Sequence, residues 1–249
     1  MNAAHVWDCR DVANRAAHVR RAVSVMRGGG LVVLPTENCY VVATDAFSIR
    51  GTALLRRAKV QSSGTPLGIL VGTTEMVGGI ASRVPDRARE LMKHFWPGLL
   101  TLLLPAQRTL AWDHPAGAPV AVRMPLHPLA LAVCQEMGPM AASTATISGG
   151  HAPIDPQDAI ESLADDVDGL CDVGTLDLTP WSDLEDPLLP SSVVDLTRWP
   201  AAISRVGAIP AALLEEALQL APADTVSEEA HVPDAELGTE PDEHSGENQ

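Results

Sequence analysis

Apolar positions along the chain alternate between two periods. Val12, Ala16, Val19, Val23 and Met26 recur at three- and four-residue steps, which makes one face of a helix, and Gly28, Gly29 and Gly30 end it. Short apolar runs at 31–34 and 41–44 predict two strands on either side of "PTENCY". Ser48 suits the N-cap of a helix reaching residue 59. A strand is expected at 67–71, then helices over 73–82 and 85–94, the second with Pro85 in its favoured first-turn position. "WPG" at 96–98 breaks the chain before a strand at 99–104. Further strands are expected at 120–123, 140–142, 169–173, 192–196 and 201–205, and helices at 127–137, 156–163 and 210–220. Helices and strands interleave, and several strand-to-strand links are short. The fold class is therefore α/β, with a mixed rather than purely parallel sheet.

Composition sharpens this picture. The chain has 249 residues, 46% hydrophobic but only 3% aromatic, so its core must be built from Leu, Val and Ala. The formal charge is -15, but residues 221–249 hold nine acids and no Lys or Arg, leaving -6 for residues 1–220. That stretch is rich in Pro, Glu and Asp without apolar periodicity, so the organisation expected is one domain over 1–220 and an acidic disordered tail over 221–249. An acidic body argues against nonspecific nucleic-acid binding and leaves room for a local basic pocket. The segment 175–190 reads as a polar, Pro-rich loop. Cys9, Cys39, Cys134 and Cys171 lack zinc spacing and read as reduced, buried thiols. "MNAAHVWDCRD" has no apolar core of a secretion signal, and no run approaches membrane-span length. A cytoplasmic location without membrane association is expected.

The candidate chemistry gathers at strand ends. No glycine-rich dinucleotide fingerprint or phosphate loop follows a strand, and Gly28–Gly30 precede one. Thr36 and Glu37 sit in "PTENCY", where they serve either a turn or a ligand; Glu37 suits an amine or a metal. Lys59 is followed by "VQSSGTPLGILV", whose loop, Ser63 included, offers backbone N–H groups beside a Lys. Arg123 ends the apolar run "VAVR" and needs a partner, either an ion pair or an anionic ligand. "ASTATISGG", with Ala142 and Thr144, combines small residues and hydroxyls. Ser191 opens "SSVVDL", and Arg205 lies near another strand end. Cations and hydroxyls at separate strand ends suit an anionic ligand such as a carboxylate or a nucleotide triphosphate. The His residues show no metal spacing and no nucleophile–base pair is evident, which argues against zinc or covalent catalysis.

Taken in order, "LPTEN" with Tyr40, Lys59 before "PLGILV", "FWPGLLTLLLP", "VAVRMPLHPLA", "GPMAASTATISG", "SSVVDL" and "RVGAI" resemble the Sua5/YrdC/YciO family of threonylcarbamoyl-AMP synthases, over about residues 22–218. The resemblance implies a YrdC-like twisted sheet around a deep cavity. It implies conversion of L-threonine, bicarbonate and ATP, with Mg2+, into threonylcarbamoyl-AMP and pyrophosphate. A transferase complex would then modify adenosine 37 of tRNA, so RNA binding, double-stranded RNA included, belongs to the family reading. By motif, Thr36, Arg123, Ala142 and Ser191 would hold threonine, and Lys59, Ser63, Thr144 and Arg205 would hold ATP. The chain departs from the family pattern at Val41–Ala43 (usually Gly-Leu-Gly), at Val60 and Gln61 (usually Gly and Arg), at Thr146 (usually Asn) and at Leu99 (usually Pro). Those changes imply weakened ATP handling. Two other readings stay open: a binding module for RNA, a nucleotide or a partner protein, and a relative acting on another amine.

Overall fold

A computed structural model describes residues 4–163, 166–178 and 188–220. The expected tail at 221–249, and most of the loop expected at 175–190, lie outside the described residues. The strands are β1 (His5–Asp8), β2 (Val32–Pro35), β3 (Tyr40–Asp45), β4 (Gly68–Leu70), β5 (Leu100–Pro105), β6 (Pro119–Arg123), β7 (Met140–Thr144), β8 (Gly169–Asp172), β9 (Ser192–Asp195) and β10 (Ala202–Arg205). The helices are α1 (Arg15–Arg27), α2 (Ile49–Ala58), α3 (Val77–Ile80), α4 (Asp86–Phe95), α5 (Pro128–Met137), α6 (Pro156–Leu163) and α7 (Ala211–Leu220). All strands join one twisted ten-stranded sheet in the order β1-β8-β2-β3-β7-β4-β6-β5-β9-β10. It is mixed: β8 is parallel to β1 and β2, β4 to β6, and β5 to β9, while the remaining pairs are antiparallel.

Local chemistry fixes the element ends. Ser48 caps α2 by accepting from the Gly51 N–H at 3.0 Å. Gly29, at φ 75°, turns the chain out of α1. The helix expected over 73–82 shrinks to the single turn of α3, because Gly78 and Gly79 occupy half of it and favour no helix. The start of the helix expected at 12 is instead a 3-10 turn at Val12–Asn14, capped by Asp11. Strand β1 escaped the pattern because Trp7 is its one buried side chain. The strand is placed by Trp7 packing over Gly169, where even a methyl group would stand 2.4 Å from the indole.

Apolar packing separates the two faces of the sheet. On β5, Leu100, Leu102 and Leu104 are buried in the main core, and Thr101 and Leu103 turn to the other face. On β6, Val120 and Val122 face that core while Ala121 and Arg123 turn away. Over the β8-β2-β3-β7 region, α1 and α5 supply the second core, with Val19, Val23, Met26, Leu129 and Val133 packed near Val32, Leu34 and Met140. The face that carries Ala121 and Arg123 is not closed in this way, and a cavity opens there.

Tyr40 joins the hairpin to the rest of the fold. Its side chain is fully buried; the hydroxyl donates to the Gly174 carbonyl at 2.7 Å and accepts from the Val173 N–H at 3.2 Å. Burial pushes the phenol above its usual range, so it stays a neutral donor. Tyr40→Phe removes the hydroxyl and leaves both backbone groups orphaned. It is expected to cost about 1–3 kcal/mol in urea denaturation, and an unchanged midpoint would mean that the hydroxyl contributes nothing there.

Candidate active site

The floor of the cavity is a row of small residues. Gly68 on β4 lies opposite Ala121 on β6 and Ala142 on β7, so three adjacent strands present almost no side chain at that level. A cavity of about 410 Å³ stands above this floor, within the range typical of small-molecule sites. Leu70, Leu103, Val193 and Val41 form its apolar walls, and Asn38, Thr101, Arg123, Ser143, Thr144, Ser191 and Arg205 bring polar groups into it.

Arg123 is set by the end of β6. Its Nη2 pairs with Glu37 Oε1 at 2.6 Å, and its Nε donates to the Gly98 carbonyl at 3.2 Å. Both side chains are largely buried, and the second Glu37 oxygen accepts from the Leu126 N–H at 3.2 Å. The choice the sequence left open, an ion pair or a ligand, has a double answer: Arg123 is paired and also lines the cavity. A guanidinium has five N–H donors, so these two contacts leave others for a ligand. Glu37 thereby serves Arg123.

Arg205 reaches the cavity from the edge of the sheet. The register of β10 on β9 shifts between Ile203 and Arg205, and this bulge sets Arg205 opposite Val193. Its Nε and Nη2 donate to the Ser191 carbonyl at 3.0 and 2.8 Å, and Nη2 also reaches Ser191 Oγ at 3.2 Å. Ser191 Oγ lies 2.8 Å from Thr101 Oγ1. Partial burial, then the Arg123 charge, lower the Arg205 pKa. Two cations facing one cavity raise each other's cost, and an anion between them relieves it.

Five of the eight residues singled out from the sequence meet here: Arg123, Ala142, Thr144, Ser191 and Arg205. The other three lie outside the lining. Thr36 is fully buried and closes the β2–β3 turn, its hydroxyl donating to the Cys39 carbonyl at 2.7 Å. Lys59 is buried; its ammonium donates to the Thr144 carbonyl at 2.8 Å and to the Thr146 carbonyl, so it braces the loop after β7. Burial lowers its pKa. Ser63 is exposed on the loop before β4. Asn38 was missed: it lies inside the quoted "PTENCY", but its neighbours Glu37 and Tyr40 offered more obvious chemistry. Cys39 also lines the cavity, and burial raises its thiol pKa.

Val60 shows a backbone consequence of the sequence pattern. It adopts φ 52°, where a β-branched side chain is strained, with its side chain 79% exposed. Val60→Gly relieves the left-handed strain and gives part of it back in chain entropy. The net expected gain is about 1 kcal/mol, read as a higher denaturation midpoint at unchanged slope; a lower midpoint would show that Val60 is not strained.

Comparisons with known proteins identify relatives of this chain. A family model described as Sua5_yciO_yrdC, "Telomere recombination", matches residues 24–207. A protein of Mycobacterium leprae (strain TN), provisionally named a threonylcarbamoyl-AMP synthase, is 36% identical over 223 residues, 89% of this chain and 97% of its own length. The threonylcarbamoyl-AMP synthase of Pyrococcus abyssi (strain GE5 / Orsay) is 31% identical over 202 residues, 80% of this chain and 57% of its own. The crystal structure of P. abyssi Sua5 complexed with L-threonine superposes with a TM-score of 0.69 at 30% identity, covering 80% of this chain and 56% of that one. The chain thus spans nearly all of the mycobacterial relative and a little over half of the archaeal one.

Proposed function

The chain belongs to the Sua5/YciO/YrdC family, and from that premise we propose that it joins L-threonine, bicarbonate and ATP into threonylcarbamoyl-AMP and pyrophosphate. The observation that carries this reading is the pairing of Arg123 and Arg205, with the hydroxyls of Thr101, Ser191 and Thr144, on one cavity whose lining holds no acidic side chain among the described residues. Such a lining suits a carboxylate and a polyphosphate together. The amine of threonine takes up bicarbonate with loss of water. A carbamate oxygen then attacks the α-phosphorus of ATP, and pyrophosphate leaves. No step needs a covalent nucleophile. Positioning, charge neutralisation and exclusion of water carry the rate.

In this reading Arg123 takes the threonine carboxylate with its remaining N–H donors, and Ser191 and the Ala142 backbone border the same subsite. Arg205 and Thr144 face the phosphates. Thr36 acts through the turn it closes, Lys59 through the loop it holds, and Ser63 meets the nucleotide only from outside the cavity. Among the described residues no carboxylate lines the cavity, and no cluster of three or more His, Cys, Asp or Glu is suited to a metal. The described residues therefore build no Mg2+ site of their own. Mg2+ enters with ATP as the metal–nucleotide substrate, and no step is assigned to it. Residues 1–220 form the catalytic unit, and the product passes to a transferase that modifies tRNA. Val41 stands in the cavity wall where the family pattern has Gly, and Gln61 lies outside the lining, so this reading expects slow turnover. A cytoplasmic location follows from the same role, and no described helix is long and apolar enough to cross a membrane.

One observation favours the binding-module reading: the Lys59 ammonium is spent on backbone carbonyls rather than turned to the cavity. Pyrophosphate release with ATP, Mg2+ and bicarbonate, with and without L-threonine, separates the two. Release is expected to depend on threonine. Arg205→Ala on the sheet edge leaves the core intact and should cut kcat/KM at least tenfold, the loss of a charged hydrogen-bond donor of about 1.5–3 kcal/mol. Arg123→Ala should cost ~100-fold or more, with part of that loss reflecting the Glu37 charge left buried. Folded protein that binds threonine but releases no pyrophosphate would leave the binding module standing.

A further inference from the structure

Asn38 carries an unmet hydrogen-bonding demand in the wall of the cavity. It is 4% exposed and lines the cavity wall. Its Nδ2 donates to the Leu189 carbonyl at 2.9 Å. A carbonyl only accepts, so this bond fixes which end of the amide is nitrogen and turns Oδ1 the other way. Oδ1 is buried, and no described group donates to it. Buried acceptors without a donor are uncommon because their desolvation goes uncompensated. A ligand donor resolves that deficit.

The rest of the lining says which donor. The hydroxyls of Thr101, Ser191 and Thr144 and the guanidiniums of Arg123 and Arg205 can donate, and they match the oxygens of a carboxylate and of phosphates. Asn38 Oδ1 accepts only. Of the donors on a β-hydroxy amino acid, the ammonium carries a charge, and burying it against one neutral oxygen is costly. A hydroxyl is neutral and needs one neutral acceptor. We propose that Asn38 Oδ1 receives the β-hydroxyl of the amino-acid substrate and so makes Asn38 a specificity residue for hydroxylated over plain aliphatic side chains. This rests on the synthase reading given above. A site built to bond a substrate hydroxyl rejects the analogue lacking it, because its own polar group is then left unpaired.

The test compares L-threonine with L-2-aminobutyrate, which lacks only the hydroxyl, on the full chain. Pyrophosphate release gives kcat/KM for each, and calorimetric binding gives their affinity ratio independently of turnover. The wild type should prefer threonine, and Asn38→Ala should shrink that preference about tenfold. Asn38→Asp keeps an oxygen acceptor but loses the N–H that holds Leu189. It should lower activity toward both amino acids while keeping most of the preference. If Asn38→Ala lowers both activities equally with the preference intact, Asn38 only holds the Leu189 segment and the assignment is wrong. A wild type that treats the two amino acids alike overturns it as well. A wild type that neither binds threonine nor releases pyrophosphate with it fails the synthase reading itself, and the Asn38 assignment falls with it.

Discussion

The ion pair of Arg123 with Glu37 joins two parts of the chain that have no other reason to meet. Arg123 ends β6, and Glu37 sits in the turn between β2 and β3, with β7 and β4 between those strands in the sheet. Each charge alone would be costly to bury, so neither residue settles without the other. Once Glu37 is fixed, its second oxygen holds the Leu126 N–H and orients the chain leaving β6. Asn38 follows directly and ties the same turn to the Leu189 carbonyl. Two neighbouring side chains thus fix three walls of one cavity. A buried ion pair is weak evidence for stability, but here it sets the position of the groups that face the ligand.

The cavity itself is a matter of volume. Where β4, β6 and β7 pass side by side, Gly68, Ala121 and Ala142 leave the sheet almost bare, whereas the opposite face at the same level carries Ile69, Val120, Val122 and Ala141 in the core. The strands can lose bulk on one face because the other face holds them. The α1–α5 layer covers part of the bare side at Leu70 and Met140, and space remains beyond it. Support and space come from the two faces of the same strands.

Much of this was legible in the sequence because strand alternation is a local signal. "VAVR" and "LTLLL" already separate a core face from a second face, and Ser48, Pro85 and Gly28–Gly30 mark helix ends. The mixed sheet followed from short links. The resemblance gathered Arg123, Ala142, Thr144, Ser191 and Arg205, and they do share one cavity. What escaped depends on contacts distant along the chain. Strand β1 is defined by Trp7 over Gly169. The place of Lys59 is decided by the carbonyls of Thr144 and Thr146. The partner of Arg123 stood in plain view as Glu37, but only the fold brings them within 2.6 Å. Asn38 was silent for the same reason, since its value lies in which atom is satisfied and which is not.

The charge distribution then makes sense of an acidic protein with a cationic site. The chain carries -15, yet among the described residues the two ionised side chains lining the cavity are both arginines. Glu37 offsets Arg123 from behind, while Arg205 is held by the Ser191 carbonyl and by hydroxyls, which carry no net charge. Among the described residues the local excess is therefore small, near one positive charge, and a strongly anionic ligand exceeds it. A polyphosphate brings its own cation, and the protein has no need to neutralise it alone. A cavity with a larger excess would repel itself when empty: the Arg205 pKa is lowered first by burial and further by the Arg123 charge. Neutral hydroxyls and one neutral amide complete the polar lining without adding to that repulsion. They supply direction, while the arginines supply attraction.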